Sequence, residues 1–354
     1  MRLAVNLGYW GSDNAYNRDN LTVAREADRL GFAAVWVAEA YGSDAATVLA
    51  WVAAQTERID VGSAVFQIPG RTPAMTAMTA ATLDALSQGR FRLGLGVSGP
   101  QVSEGWHGVR FDRPLARTRE YVEIVRQALR RDPLTYAGEH FTLPLPDGPG
   151  RALRLAIHPF RAEVPIYLAA IGPRNLELAG AIADGWLAVF FAPEFAEEQL
   201  AHVRTGRAAA GKELAGFDVV PTAPLVVGDD LAACVEPVRG YAALYLGGMG
   251  SREQNFYNRL AARMGYADAA AEVQERYLGR DYAGAAAAVP GEFVDRTSLL
   301  GPVERIADRM RAFAAAGVTT LTVAPVAATL DGRIAALHAA VEAHELAGLA
   351  GHGA

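Results

Sequence analysis

A glycine-rich stretch between residues 90 and 107 has the residue types that point most directly to chemistry. It begins as an apolar run, residues 91–97, and continues through Gly94, Gly96 and Gly99 into a polar loop. The side chains that this loop adds are Gln101, Glu104, Trp106 and His107. Bare backbone amides beside polar and aromatic side chains suit a flat ligand that carries negative charge.

The spacing of Gly94, Gly96 and Gly99 matches the G-x-G-x-x-G fingerprint of dinucleotide-binding folds. That fingerprint also requires a helix that opens at the last glycine and an acidic residue about 20 positions further on. Here we expect Pro100 and a loop to replace the helix. The stretch therefore predicts phosphate binding by backbone amides without a Rossmann fold.

An acidic residue follows the second predicted strand. Glu39 comes directly after residues 33–38, at the edge where barrel enzymes place their catalytic groups. Asp44 precedes a predicted helix over residues 45–56, and we expect it to cap that helix. For Glu39, a role in chemistry and a role in structural pairing fit the sequence equally well.

Two further strand ends bring small residues to the same edge. Gly62, Ser63 and Ala64 allow either a close approach of a ligand or tight packing inside a barrel. Gly172 and Pro173 open a helix after the fifth predicted strand, so its first amides face any anion placed there. Together these loops predict one ligand site.

Other chemistries find little support in the sequence. The seven histidines form no H-x-x-x-H or H-E-x-x-H pair, so no metal site is predicted. There is no G-x-S-x-G motif, and we expect the single cysteine, Cys234, to pack in a helix. The run 206–213 nearly spells a P-loop, but Glu213 stands where the motif needs Ser or Thr, and Gly211 is better explained as a helix end.

The composition argues against several classes of partner. The 354 residues carry a net charge of −6 and no basic run, so we expect neither nucleic acid nor an anionic membrane surface as a partner. No apolar run reaches about 18 residues, and residues 1–8 read as a strand rather than a signal peptide. We therefore expect one cytoplasmic domain over residues 1–354 that acts on a small molecule.

Short apolar or β-branched runs alternate with amphipathic helical stretches along the chain. Such alternation predicts a parallel sheet, and without a Rossmann start it favours a closed (β/α)8 barrel, an α/β TIM barrel. The predicted strands are residues 3–7, 33–38, 59–65, 91–97, 164–169, 186–190, 218–227 and 319–323.

Two segments depart from this alternation. Residues 134–136 and 140–143 predict a small hairpin between the fourth helix and the fifth strand. Residues 241–300, rich in alanine, predict a helical insertion between strands seven and eight. Long additions to a barrel usually lie at its carboxyl face or cover a site.

The sequence resembles the luciferase-like monooxygenase superfamily, in particular its deazaflavin branch, the F420-dependent oxidoreductases. The resemblance extends over most of the chain apart from the helical insertion. The segments that carry it are residues 36–44, 71–74, 80–90, 93–108, 165–173 and 182–186.

This resemblance implies a flavin-like ring at the carboxyl mouth of the barrel, with F420 as the cofactor and FMN as the alternative. It also implies a non-proline cis peptide at Ala64–Val65, pressed against the ring. The expected cofactor contacts are Glu39, Ala64, Val65, Gln67, Gly96, Val97, Ser98, Gly99, Gln101, Ala170, Gly172, Pro173 and Arg174.

One departure from the family concerns proton transfer. Many deazaflavin dehydrogenases place a histidine directly after the acid of the second strand, whereas this sequence has Glu39-Ala40. An alcohol-oxidising enzyme needs a base near the hydroxyl, so Glu39, Tyr41 or His107 must substitute, or the enzyme works in the reducing direction. We expect reduction.

The aromatic residues near the predicted mouth are expected to form the substrate pocket. They are Tyr9, Trp10, Phe66, Trp106 and Phe191. Two alternatives stay open, an FMN-dependent monooxygenase on the same fold and a non-catalytic flavin-binding relative, although glycines in three separate loops argue against the second. A homodimer is possible.

Overall fold

The computed structural model describes residues 1–8 and 14–351, and within them eight parallel strands close into a barrel. The strands are β1 (Arg2–Asn6), β2 (Ala34–Val37), β3 (Asp60–Ser63), β4 (Phe66–Gln67), β5 (Phe91–Gly96), β6 (Tyr136–Ala137), β7 (Thr142–Leu143), β8 (Ile166–Ala169), β9 (Gly185–Val189), β10 (Asp218–Val227), β11 (Leu299–Gly301) and β12 (Thr320–Pro325). Strands β1, β2, β3, β5, β8, β9, β10 and β12 form the barrel, and the pairing of β1 with both β2 and β12 closes it. The predicted (β/α)8 barrel is confirmed.

Helices cover the outside of the barrel. They are α1 (Asn14–Arg29), α2 (Ala45–Ala53), α3 (Pro73–Leu86), α4 (Pro100–Gly105), α5 (Pro114–Leu129), α6 (Pro173–Ile182), α7 (Ala196–Ala209), α8 (Leu231–Ala243), α9 (Phe256–Ala261), α10 (Ala267–Leu278), α11 (Tyr282–Ala288), α12 (Gly291–Arg296), α13 (Val303–Ala315) and α14 (Leu330–Leu346). None of the helices in the described part of the chain has the length and apolar character that crossing a membrane requires.

Two expectations about local structure were wrong. A short helix, α4, does follow Gly99, with Pro100 as its first residue; proline suits that position because its missing N–H is not needed there. The third strand does not run unbroken over residues 59–65, because β3 ends at Ser63. The predicted hairpin is confirmed as the antiparallel pair β6 and β7, shorter than expected.

The interior of the barrel has a filled middle. Trp36, Tyr167 and Val220 are buried there with Ala4 and Ala34. The rings of Trp36 and Tyr167 meet edge to face, with centroids 5.3 Å apart. Because side chains alternate along a strand, the interior positions closer to the carboxyl end on these two strands are Ala38 and Ala169, which leave the mouth open.

An ion-pair network closes the amino end of the barrel. Asp218 accepts hydrogen bonds from Arg2 (2.8 Å), Arg92 (3.2 Å) and Tyr167 (3.1 Å). Arg92 also binds Asp60 at 2.7 Å. Burial alone would raise the pKa of Asp218, but Arg2, Thr319 and Arg92 hold it below its usual range.

The segment between β10 and α13 contains α8–α12, two π-helical turns and β11. It has its own apolar core, separate from the one between the barrel and its helices. Val189, Val226 and Val326, from the ends of three barrel strands, pack against that core. The insertion therefore covers the carboxyl end of the barrel on the side of β9, β10 and β12.

Candidate active site at the carboxyl end of the barrel

The third barrel strand is interrupted at the mouth by a bulge. The peptide bond between Ala64 and Val65 is cis, as predicted, and the chain resumes as β4, which pairs with β5. At the interruption, the Ser63 hydroxyl donates to the carbonyl of Gly94 (2.8 Å) and accepts from its amide (2.9 Å). One side chain thus satisfies the backbone groups of Gly94 where the strand ladder is open.

Two glycines of the fingerprint are explained by packing within the protein. A Cβ at Gly94 would overlap the carbonyl oxygen of Ser63. A Cβ at Gly96 would lie 2.5 Å from Cγ2 of Val65, the residue after the cis bond. Both positions need glycine so that β5 can pass under the bulge.

Gly99 and Gly172 have no such explanation. Their φ angles, −138° and −82°, are accessible to any residue. A Cβ at Gly99 would meet only Oε1 of Gln101, at 3.6 Å, and a Cβ at Gly172 would meet nothing within 4 Å. Since the fold does not require glycine at either position, the free space beside them is available to a ligand.

Gly172 also begins a helix that no side chain caps. It is the N-cap residue of α6, with Pro173 at the first helical position. The first amides of a helix carry a partial positive charge and suit a phosphate or carboxylate. Arg174, the next residue, is exposed and adds a cation to the same end of α6.

Glu39 is fixed by three donors. Its carboxylate accepts hydrogen bonds from the backbone amides of Gln67 (3.1 Å) and Ala45 (3.1 Å) and pairs with the Arg71 guanidinium. Its side chain is only 8% exposed. Glu39 thus connects the turn after β2 with β4, which follows the bulge, and with the start of α2.

Arg71 extends the same cluster to Asp44. Asp44 caps α2 by accepting from the amide of Thr47 (2.8 Å), as predicted, and also pairs with Arg71. Burial opposes ionisation of Asp44, but the hydrogen bonds from Thr47 and the charge of Arg71 keep its pKa below the usual value. Arg71 in turn lies over the ring of Phe66, 4.4 Å from its centroid.

Gln67 connects this cluster to the loop after β5. Its side chain, 6% exposed, accepts from Nε2 of His107 (2.8 Å) and donates to the hydroxyl of Ser98 (3.4 Å). Because an amide oxygen can only accept, Nε2 of His107 carries a hydrogen in this contact. We call Glu39, Gln67, Arg71, Ser98 and His107 the polar wall.

Several predicted site residues lie elsewhere. Phe66 and Phe191 are 0% and 1% exposed and pack in the core between barrel and helices, so their assignment to the substrate pocket was wrong. Ala170 also faces that core, and its carbonyl accepts from Nε1 of Trp186 (2.8 Å). Trp106, in contrast, is 66% exposed.

Other predicted residues stay at the rim. Tyr41, on the turn after β2, is 69% exposed. Gln101 is exposed on α4, and Val97 is half-buried beside it. Tyr9 and Trp10 lie outside the described residues.

The sequence-based reasoning missed Phe190, which directly follows β9. Its φ is +50°, a left-handed conformation that is rare for a bulky residue. Its ring is surrounded by the insertion, with centroid distances of 5.6 Å to Tyr241, 5.5 Å to Tyr245, 6.3 Å to Tyr257 and 5.3 Å to Phe293. We call these five residues the aromatic wall.

The insertion also reaches other parts of the rim. Arg263 donates to the carbonyl of Ile171 (3.2 Å), next to Gly172. Burial raises the pKa of Tyr277 on α10, and the neighbouring Tyr282 and Tyr41 add to that shift. The insertion therefore contacts the loop after β8 at the mouth.

Residues 4–320 match the family model described as luciferase-like monooxygenase. A Mycobacterium tuberculosis protein, named as a candidate coenzyme F420-dependent oxidoreductase, is 44% identical over 344 residues, which cover 95% of this chain and 99% of the relative. A 5,10-methylenetetrahydromethanopterin reductase of Archaeoglobus fulgidus is 29% identical over 299 residues, with 83% and 85% covered.

A solved structure shares the fold. The coenzyme F420-dependent tetrahydromethanopterin reductase of Methanopyrus kandleri superposes with a TM-score of 0.81 at 24% identity. The similarity covers 96% of this chain and 97% of that one. The chain therefore has the same overall fold as that protein.

Proposed function

The chain belongs to the luciferase-like monooxygenase family, and from this we propose that it is an F420-dependent oxidoreductase that acts on a small organic substrate. The observation that carries the proposal is that Gly99 and Gly172 border free space, although the fold does not require glycine at either position. The relative that is 44% identical, with its F420-related name, supports the same cofactor.

The residues at the mouth fit such a cofactor. The cis bulge at Val65 over Gly96 would support the ring, and Gln67 and Ser98 would meet its polar edge. The amides around Gly99 and Gly172 would hold the phosphate. When bound, the deazaflavin supplies or accepts a hydride.

In the reducing direction, the substrate gains the hydride and one proton, so the protein must provide a proton donor. The geometry supports the imidazolium form of His107 for this role, because Gln67 accepts from its Nε2 and the second proton, on Nδ1, would then go to the substrate. The three donors on Glu39 support a positioning role for that carboxylate. Tyr41 is the next candidate donor. The lack of a histidine at Ala40 favours reduction over alcohol oxidation.

The proposal is tested by titrating the purified protein separately with F420 and FMN and following cofactor fluorescence. We expect saturable binding of F420 and at least tenfold weaker binding of FMN. Tighter binding of FMN, with oxygen consumption when reduced FMN is supplied, would replace the proposal with a monooxygenase. Stoichiometric F420 binding without turnover of any compound in a broad substrate panel would favour a non-catalytic relative.

We also propose that the chain forms a homodimer through α2 and α3. The outer faces of these helices expose Trp51, Met75, Met78 and Leu86. α2 has no charged residue, and the one charged residue of α3, Asp84, is buried against Arg161. A face without charges can meet its own copy across a twofold axis without placing like charges opposite each other.

Sedimentation velocity tests this assembly. The wild-type chain is expected to sediment as a dimer at micromolar concentration, and Met78→Lys is expected to shift it to the monomer. A monomeric wild-type chain would rule the dimer out.

A further inference from the structure

A surface pocket lies next to the polar wall, on the side of α4 and α5. The 3₁₀ turn Ile68–Gly70, which follows β4, and Val97, directly after β5, form one side of it. The segment 110–118, which leads into α5, forms the other side. Neither Gly99 nor Gly172 lines this pocket, so it lies beside the proposed cofactor site rather than within it.

Arg117 is a partly buried cation in this pocket that no protein group neutralises. Its Nε atom is inaccessible to solvent and has no hydrogen-bond partner. Across residues 1–8 and 14–351, no carboxylate or carbonyl oxygen binds its guanidinium, and the same holds for the exposed Arg110, which lines the same pocket. Charged side chains that are withdrawn from solvent are usually paired. Arg117 is therefore placed to bind an anion that the chain itself does not supply.

The carboxylates of the same segment are engaged by other groups. Asp112, which also lines the pocket, pairs with Arg113 (3.5 Å), and Arg113 pairs with Glu139 as well. Glu104 accepts a hydrogen bond from the amide of Phe111 (3.1 Å). The pocket is thus lined by two guanidinium groups and one carboxylate, and its net charge is positive.

The amino end of α5 adds to this positive potential. The helix has 16 residues and begins at Pro114, which lines the pocket. No side chain caps it, and the two hydroxyls of the pocket are used by carbonyl groups, because Ser103 donates to Val109 and Thr118 to Pro114, both at 2.7 Å. The first amides of a helix lack partners within the helix and carry partial positive charge. They therefore strengthen the attraction for an anion in the pocket.

We propose that this pocket is a second anion site, which binds a phosphate group through Arg110 and Arg117. Phosphate suits two guanidinium groups because its oxygens accept several N–H bonds at once. The free volume of the pocket, counted out to the solvent, is about 240 Å³, whereas pockets that enclose whole small-molecule ligands measure about 300–1,000 Å³. The pocket therefore fits an anionic group and not a flavin-like ring. The phosphate is either a free ion or part of the bound cofactor, and the experiment separates these two sources.

The first measurement uses inorganic phosphate and the cofactor-free protein. Binding is followed by the broadening of the phosphate signal in phosphorus NMR, at an ionic strength held constant with sodium chloride. We expect saturable binding with a dissociation constant of about 1 mM or below. Absence of saturable binding at a phosphate concentration ten times higher would overturn the proposal.

Substitutions locate the phosphate. Arg117→Gln is expected to weaken phosphate binding at least tenfold, and Arg110→Gln at least threefold, because the charge of an exposed side chain is more strongly screened. Arg119→Gln is the control, with an expected change of less than twofold, because it removes the same charge from an exposed position of α5 that does not line the pocket. Equal phosphate binding by Arg117→Gln and Arg119→Gln would overturn the proposal.

A more conservative variant covers the case in which Arg117→Gln does not fold. Arg117→Lys keeps the charge but loses the planar fork of N–H groups. It is expected to weaken phosphate binding at least threefold, and wild-type affinity in this variant would contradict the role of Arg117.

Titration of the F420-loaded protein identifies the source of the phosphate. Phosphate binding as tight as in the cofactor-free protein means that the site takes a free ion. If bound F420 abolishes phosphate binding and Arg117→Gln weakens F420 binding at least fivefold, the cofactor supplies the phosphate. Loss of phosphate binding with unchanged F420 affinity in Arg117→Gln would place the phosphate beside Gly172 and overturn the proposal. A wild-type protein that does not bind F420 contradicts the proposed function, but the result with the cofactor-free protein still decides this inference.

Discussion

At the amino end of the barrel, buried charged side chains pair with each other, whereas at the carboxyl end the interior positions are small and the polar groups lie around a space. Arg92 and Asp218 are 10% and 8% exposed and are each other's partners. At the carboxyl end, in contrast, a Cβ at Gly172 would meet nothing within 4 Å, and one at Gly99 would meet only Oε1 of Gln101. One strand topology thus carries an ion-pair network at one edge and the proposed binding site at the other.

The comparison predicts that substitutions at the two ends have separable effects. A change at the amino end should lower the free energy of unfolding and leave cofactor affinity unaffected. A change at the carboxyl end should lower cofactor affinity and leave the free energy of unfolding unaffected. Glu39 is an exception, because its side chain also holds loops together.

Asp218→Asn is expected to have the largest effect on stability. It leaves the buried Arg92 without its full counter-charge, and removing one partner of a buried pair costs about 3–5 kcal/mol. Urea unfolding measures this loss, and F420 affinity should stay within twofold of wild type. Asp112→Asn is the control, because Asp112 belongs to an exposed pair with Arg113. A loss below about 1 kcal/mol for Asp218→Asn would show that the network does not stabilise the barrel.

His107→Gln is expected to reduce turnover about 100-fold, with little change in the free energy of unfolding, because it removes the proposed proton donor. Glu39→Gln is the matched comparison. Under its positioning role, it should lower stability but keep the wild-type pH profile of turnover. The opposite result would make Glu39 the proton-transfer group. In that case Glu39→Gln changes the pH profile of turnover and lowers turnover about 100-fold, while His107→Gln retains wild-type turnover.

Gly99→Val is expected to weaken F420 binding at least tenfold, or about 1.4 kcal/mol. The added side chain meets no protein atom closer than 3.6 Å at its Cβ, so the variant should fold normally and the effect falls on the ligand. Gly105→Val, in open space at the end of the same short helix, should leave the affinity unchanged. Unaltered affinity in folded Gly99→Val would remove this loop from the cofactor site.

The smallest effect is the pH dependence of the amino-end network. The folded pKa of Asp218 is lowered, so its contribution is present above the unfolded pKa of about 3.9 and is lost as the pH falls through the lower folded value. The difference in unfolding free energy between wild type and Asp218→Asn should therefore be constant near pH 7 and narrow below about pH 4. A difference that is the same at pH 7 and pH 3 would contradict the role of the charge.

The barrel could be predicted from the sequence because strand and helix periods alternate regularly along most of the chain. Helix α3, for example, begins at Pro73 directly after its capping residue Thr72, which are residue types that mark a helix start in a sequence. The bulge at Ala64–Val65 was predicted through family resemblance, which supplies information that the small residues alone do not contain.

The two pocket residues that were wrongly assigned share one physical cause. Counting alternate residues along β9 from Val189 places Phe191 inside the barrel, but the left-handed backbone at Phe190 reverses the alternation. The bulge at Ala64–Val65 likewise reverses the alternation before Phe66. Val65 points to Gly96, and Phe66 is turned to the core outside the barrel. Alternation therefore predicts the facing of a side chain only up to the first irregular residue of a strand.

Gly99 and Gly172 have a practical consequence for design. Because neither glycine is needed by the backbone or by its neighbours, a designer can vary both positions without repacking the barrel. Gly94 and Gly96 do not offer this freedom, since side chains there would collide with the bulge. A library that aims to exchange one flavin-like cofactor for another would therefore begin with Gly99 and Gly172, where a larger side chain has space and the backbone does not require glycine.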